Sequence, residues 1–227
     1  LGQSDMIFLP GSKNTMGDLR WMRQNGLEAA VKKLAVHIPV WGICGGYQML
    51  GRTISDPHGV ENENSLREPL RGMELIDTDT TLMPEKMRTQ TRGKFENVTG
   101  IFSTLSGLEF SGYEIHMGKT TVSTGEHQTP LVQLADGRTD GVQRMEKGSE
   151  APGVYGSYVH GIFDDGDIAV RIVQALADKK RVSWKPEAGG DYHAFKEQQY
   201  DKLAQGLREH LDMEYVYSIL QESRISV

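Results

Sequence analysis

Pro39-Val-Trp-Gly-Ile-Cys-Gly-Gly-Tyr-Gln-Met-Leu-Gly51 is the stretch on which the reading of this chain turns. Val40 to Ile43 is a short apolar run, the pattern of a buried strand. Glycines at 42, 45 and 46 interrupt it, and Tyr47 to Leu50 opens a helix. A Gly-x-Cys-x-Gly frame between strand and helix matches a nucleophile elbow. Such a turn is strained and crowded, so glycines flank the reactive residue. The thiol then lies at a helix N-terminus, where the dipole and free N–H groups favour thiolate. The amide of Gly45, next after the nucleophile, faces the place where an oxyanion forms. A plainer reading makes Cys44 a small buried hydrophobe. A core cysteine, however, needs no glycine turn.

Outward from this stretch, Asp5-Met-Ile-Phe-Leu9 reads as a central parallel strand. The loop Pro10-Gly-Ser-Lys-Asn-Thr15 follows, and Gly11 permits a turn whose N–H groups face outward as a second oxyanion donor. The spacing is not that of a P-loop. A plain strand-to-helix turn accounts for the loop equally well. Thr15 to Gln24 and Leu27 to Val36 carry helical spacing, broken at Asn25-Gly26. Strand, helix, helix, strand, elbow and helix in that order predict an α/β fold. It is an open, mostly parallel sheet with helices on both faces and its site at the carboxyl ends of the strands.

Residues 52–70 read as a polar loop with solvated acids. From Gly72 to Val122 the pattern turns β-rich, predicting antiparallel strands that extend the sheet. Leu131 to Leu134 and Gly141 to Met145 add short strands. Val154 to Val159 is another β-type run, ending at His160-Gly161. Strand ends converge on one crevice in such a sheet, so His160 is placed to act as a base toward Cys44. The alternative is a strand-end histidine bonded to backbone. Asp167 to Lys180 reads as a helix. Residues 183–193 read as a linker, and Phe195 to Leu220 as a helical tail with Leu203, Leu207 and Leu211 spaced by four.

The chain has 227 residues and a formal charge of −6. That balance makes no electrostatic case for nucleic acid or a membrane surface. One cysteine in the whole chain forms no internal disulfide and suits a reducing cytoplasm. No apolar run is long enough to span a bilayer, no signal-peptide pattern opens the chain, and no His/Cys cluster has metal spacing. The first residue is Leu1 rather than Met, which suggests one domain of a longer protein.

With Cys44, Gly11 and His160 identified, the chain resembles a class I (triad-type) glutamine amidotransferase domain. Within that class it resembles the C-terminal glutaminase domains of cobyric acid synthases. Asp5 to Thr15, Gly42 to Gly51, Gly112-Tyr-Glu-Ile-His-Met-Gly118, Gly156-Ser-Tyr-Val-His-Gly-Ile-Phe-Asp164, Tyr200 to Ala204 and His210 to Met213 carry the likeness. The resemblance implies that Cys44 attacks the amide carbon of glutamine and His160 moves the proton. Gly11 and Gly45 hold the oxyanion, and Gln48 binds the amino-acid end of the substrate. A solvated Gln48 is the plainer alternative. Most triad-type members carry Glu two residues after the histidine. Here Ile162 stands there, as in the cobyric acid synthase lineage, which leaves Asp164 as the candidate orienting group. His116 and Glu114 share one strand face by period two, either lining the site or the ammonia path, or pairing on a wet face.

The resemblance places residues 1–182 in the amidotransferase domain and residues 183–227 in a linker and helical tail packing on it. It also implies an N-terminal ATP-dependent synthetase domain in the parent protein; no Walker A sequence occurs here, so this chain is expected to be only the ammonia-producing half. The expected partners are glutamine, that synthetase domain and, through it, a corrinoid acceptor. No cofactor is expected in this chain, with ATP and Mg at the synthetase. Two other readings are a glutaminase serving another acceptor such as lipid II, and a catalytically silent docking domain.

Overall fold

The computed structural model describes residues 4–61, 68–123, 127–145, 152–164, 166–186 and 192–222. In chain order the elements are β1 (Ile7–Leu9), α1 (Thr15–Gln24), α2 (Leu27–Leu34), β2 (Val40–Ile43), α3 (Gly45–Leu50), β3 (Thr53–Ser55), β4 (Leu70–Arg71) and β5 (Thr78–Phe95). A 3-10 segment (Gly100–Leu105) leads to β6 (Glu109–Val122), β7 (Gln128–Leu134), β8 (Thr139–Arg144), β9 (Val154–Ser157), β10 (Val159–His160) and α4 (Gly166–Lys180). Helices α5 (Tyr192–His210) and α6 (Met213–Glu222) follow. The chain divides into two compact units at Lys185 and Pro186.

The open α/β sheet is present in mixed form. Its order is β1-β2-β9-β8-β7-β5-β3-β4, with β6 paired to β5 and β10. β1, β2 and β9 run parallel, as does the β3–β5 pair. The pairs from β9 through β8 and β7 to β5, and from β5 to β6 to β10, are antiparallel. The antiparallel extension is thus the larger share among the described strands. Its longest member, β5, runs for 18 residues through the β-rich region. Pro84 donates no ladder hydrogen bond, and the β5–β6 register shifts between Leu82 and Met87.

Alternation along β1 sets the two helical layers. Leu9 lies against Gly46 of α3, where a Cβ on residue 46 would fall 2.1 Å from the Leu9 carbonyl oxygen. Phe8 turns the other way, meeting Phe163 edge-on at 5.4 Å, beside Ala169, Ile172 and Val173 of α4. Under the sheet, Trp41 stacks on Tyr155 at 5.0 Å and touches Phe95, Phe102 and Phe163. This aromatic cluster immobilises β2 and β9, the two strands that end in the candidate site.

The segment 52–61 departs from the solvated loop read in the sequence. Thr53 to Ser55 pairs with both β4 and β5. Asp56 is buried, and its carboxylate accepts the N–H groups of Val60 at 2.7 Å and Glu61 at 3.0 Å. Those two bonds turn the chain back toward α1.

Candidate active site

Cys44 sits between β2 and α3 with φ 50° and ψ −109°. A non-glycine residue with positive φ is strained, and such strain concentrates where a reactive side chain must be presented. Neighbouring bonds hold it there. The Cys44 N–H donates to Ser157 O at 2.9 Å, and the Gly46 N–H donates to Pro10 O at 3.1 Å. The elbow expected from the sequence is therefore formed. Gly45 N is the first N–H of α3 and so has no intrahelical acceptor. Among the described residues neither it nor Gly11 N donates to a loop or cap carbonyl, and the Gly45 N–H is directed at the Cys44 sulfur.

Gly11, Cys44, Gln48 and His160 line one cavity of about 680 Å³. Gly11 is the meeting point. A methyl group there would come 2.9 Å from His160 Cε1 and 3.6 Å from Cys44 Cβ. Two side chains more than a hundred positions apart thus converge over one residue that lacks its own. The Cys44 thiol donates to the Ile115 carbonyl at 3.6 Å, so β6 closes the cavity from the side.

The electrostatics differ from the expectation of a preformed thiolate. Burial pushes the Cys44 thiol up to about 11, and the carboxylates of Glu61 and Asp140 add to the rise. The Gly45 N–H pulls the other way without offsetting it. A six-residue helix is too short to outweigh the loss of water around sulfur. Burial also lowers His160 below its ordinary value, with His116 adding to the effect. The resting pair is therefore thiol and neutral imidazole.

Tyr113 holds the His160 ring. The two face each other across the β10–β6 pair, with centroids 5.1 Å apart and planes within 5°. Among the described residues no carboxylate hydrogen-bonds this imidazole. Asp164 turns toward Gly161 instead, and a Cβ there would lie 3.3 Å from its Oδ2. Ile162, where triad-type relatives carry an acid, is fully buried in the core. The positive φ of Gly161 turns the chain after His160, so position 162 faces the core.

Gln48 lines the cavity but is not solvated. Only 3% exposed, it donates from Nε2 to Tyr158 Oη at 3.2 Å, and that hydroxyl continues to Thr120 at 2.5 Å. Glu114 and His116 do not form a wet-face pair. Glu114 is buried and bound by Arg138 at 2.6 Å and 3.2 Å. His116 stacks on Tyr158 at 3.8 Å and donates from Nδ1 to Gly118 O at 2.9 Å. Its Nε2 lies 3.6 Å from Glu114, at ion-pair range. His116 and then Arg138 hold the Glu114 carboxyl down at about 2 against its burial.

Sequence reading missed three supports. Asp140 accepts Ser157 Oγ at 2.6 Å and Tyr158 N at 2.9 Å, fixing the end of β9 beneath Cys44. Tyr113 was visible only as part of the Gly112–Gly118 stretch. Glu61 reaches back to accept Met16 N at 2.9 Å and so faces the cavity. Among the described residues no group of three or more His, Cys, Asp and Glu side chains is placed to hold a metal ion.

This strand-to-helix thiol, with an imidazole across a glycine, is the arrangement of a cysteine amidotransferase. Residues 1–168 match the CobB/CobQ-like glutamine amidotransferase domain, and the chain belongs to that family. It is 46% identical over 228 residues to a cobyric acid synthase of Ruminiclostridium cellulolyticum, with 98% of this chain and 42% of that protein covered. It is 39% identical over 225 residues to the cobyric acid synthase of Lachnoclostridium phytofermentans, with 97% and 43% covered. The chain thus spans less than half the length of these relatives. A crystal structure of a glutamine amidotransferase overlays with TM-score 0.48 and 16% identity, covering 77% of this chain and 79% of that one. Among the described residues no helix is long and apolar enough to cross a membrane.

Proposed function

We propose that this chain is the glutaminase part of a cobyric acid synthase. It releases ammonia from glutamine for ATP-dependent amidation of adenosylcobyrinic acid a,c-diamide. The observation that carries the reading is the strained Cys44 elbow facing His160 across Gly11.

The chemistry follows from the resting protonation states. The Cys44 sulfur attacks the side-chain amide carbon while its proton passes to His160 Nε2 or Nδ1, whichever ring nitrogen faces it. The N–H groups of Gly11 and Gly45 receive the charge that develops on the amide oxygen. The imidazolium returns the proton to the amide nitrogen as the C–N bond breaks, and ammonia leaves. Water then attacks the γ-glutamyl thioester, His160 accepts its proton, and glutamate and the thiol are regenerated. Gln48 contributes its free carbonyl to the substrate pocket.

In this reading ATP and Mg belong to a synthetase domain of the same protein, which binds the corrinoid and consumes the ammonia. The compartment is the cytoplasm. The support is the set of curated relatives, named as cobyric acid synthases and more than twice as long as the matched segment. Cys44→Ala should abolish glutamate release. 6-Diazo-5-oxo-L-norleucine should alkylate the Cys44 sulfur with loss of N2, adding the mass of the reagent less N2 to the Cys44 peptide. Glutamate release that survives Cys44→Ala defeats the proposal.

A further inference from the structure

The charged lining of the Cys44 cavity suggests how the substrate is chosen. Among its described lining residues the only carboxylate is that of Glu61, and the only ammonium groups are those of Lys13 and Lys86. None of the three has an ion-pair partner among the described residues. Charged groups that converge on one concave site without satisfying one another are left to fix the orientation of a charged ligand. Glu61 spends Oε2 on the Met16 N–H at 2.9 Å, while Oε1 accepts no bond among the described residues. Its backbone is fixed in turn by the buried Asp56 carboxylate, so the side chain is held rather than free. Lys13 comes from the loop after β1 and Lys86 from the β5 segment where the register shifts, so the ammonium groups approach from separate elements.

We infer that Glu61 binds the α-ammonium of the amino-acid substrate, and that Lys13 and Lys86 take its α-carboxylate. This inference rests on the glutaminase reading and adds to it the groups that distinguish glutamine from other primary amides. A zwitterion whose amide carbon lies at Cys44 must place one positive and one negative group further along the cavity. The unpaired side chains supply the complementary signs. Glu61 and Cys44 line the same cavity, so the carboxylate and the sulfur can engage two ends of one small substrate.

The test compares ammonia release from three amides by the full-length protein: glutamine, glutaramate (no α-ammonium) and 4-aminobutanamide (no α-carboxylate). The unaltered protein should prefer glutamine to each truncated amide by about 10- to 100-fold in kcat/KM, the range of a charge-assisted hydrogen bond. Glu61→Gln keeps a carbonyl to accept the Met16 N–H but loses the charge. It should shrink the preference over glutaramate to about threefold, mainly through the KM for glutamine. Lys13→Met with Lys86→Met should shrink only the preference over 4-aminobutanamide. If Glu61→Gln does not fold, the lysine pair, exposed and unbonded, still carries the test. Equal losses on all three amides would make Glu61 a loop anchor only and overturn the inference. Absence of ammonia release from the unaltered protein would overturn the glutaminase reading and this inference with it.

Discussion

The imidazole of His160 lies parallel to the ring of Tyr113, with 5.1 Å between centroids and 5° between planes. Cross-strand pairing sets this contact, because the two residues are direct partners in the β10–β6 ladder. In the proposed reaction this stacking would take the place of the carboxylate that orients the imidazole in a triad. Tyr113→Leu should lower kcat about tenfold with KM nearly unchanged, since a loosened base misaligns the proton transfer. Tyr113→Phe keeps the ring and should retain most of the rate. Steady-state glutaminase kinetics decide between them, and an equal loss in both variants would point to the hydroxyl instead.

The pH profile should distinguish a neutral pair from a charged one. Burial disfavours imidazolium, so His160 loses its proton below its ordinary 6.5. The thiol keeps its own until about 11. Accordingly kcat/KM should rise with pH through an apparent value under 6.5 and then stay level through pH 9. A thiolate–imidazolium pair would behave oppositely at the alkaline end, with activity falling as the imidazolium deprotonates. A bell closing near pH 7 to 8 in a glutamate-release assay would therefore refute the neutral pair.

Gly11 should be intolerant of even one methyl group. In Gly11→Ala the new carbon would meet His160 Cε1 at 2.9 Å, closer than real contacts of this type. The imidazole is the movable partner, so the ring shifts and the fold survives. We expect kcat to fall about 100-fold, the usual consequence of misplacing a reacting group by an ångström. The thermal midpoint should change little. A large loss of midpoint would show instead that the loop itself gave way.

Arg138→Ala should weaken the fold by about 1–3 kcal/mol, as it strips the guanidinium from a buried carboxylate. The lower part of that range fits the exposure of Arg138, whose side chain is 44% accessible. The sign of the pH dependence follows from Glu114, held at about 2 against an ordinary 4.5. Its stabilisation is complete above the unfolded value and is lost as pH falls through the folded one. Without Arg138 the folded value rises, so the variant deficit is largest near neutrality. It should narrow as pH drops from 5 toward 3, as thermal melts across that range would show.

Much of the fold and the elbow was legible because local chemistry decides them. Val40 to Ile43 has no polar residue, so burial as a strand follows from composition alone. The crowding that excludes a Cβ at Gly46 is written in the Gly-Gly pair after Cys44. Residues 53–55 were not legible, because three residues form a strand only where β4 and β5 supply partners. Asp56 and Glu61 read as solvated for a similar reason. An acid and its distant N–H donors carry no joint signature in the chain.

By itself, then, the sequence determined the strand-turn-helix that presents Cys44 and the need for glycine around it. Those features depend on backbone angles and on atoms within a few residues. Only the tertiary structure decided the thiol's protonation, the stacking of His160 on Tyr113 and the turn of Glu61 into the cavity. These depend on how much water is excluded and on which residue of one strand lies opposite which of another. Both are properties of register and packing across more than a hundred positions of chain.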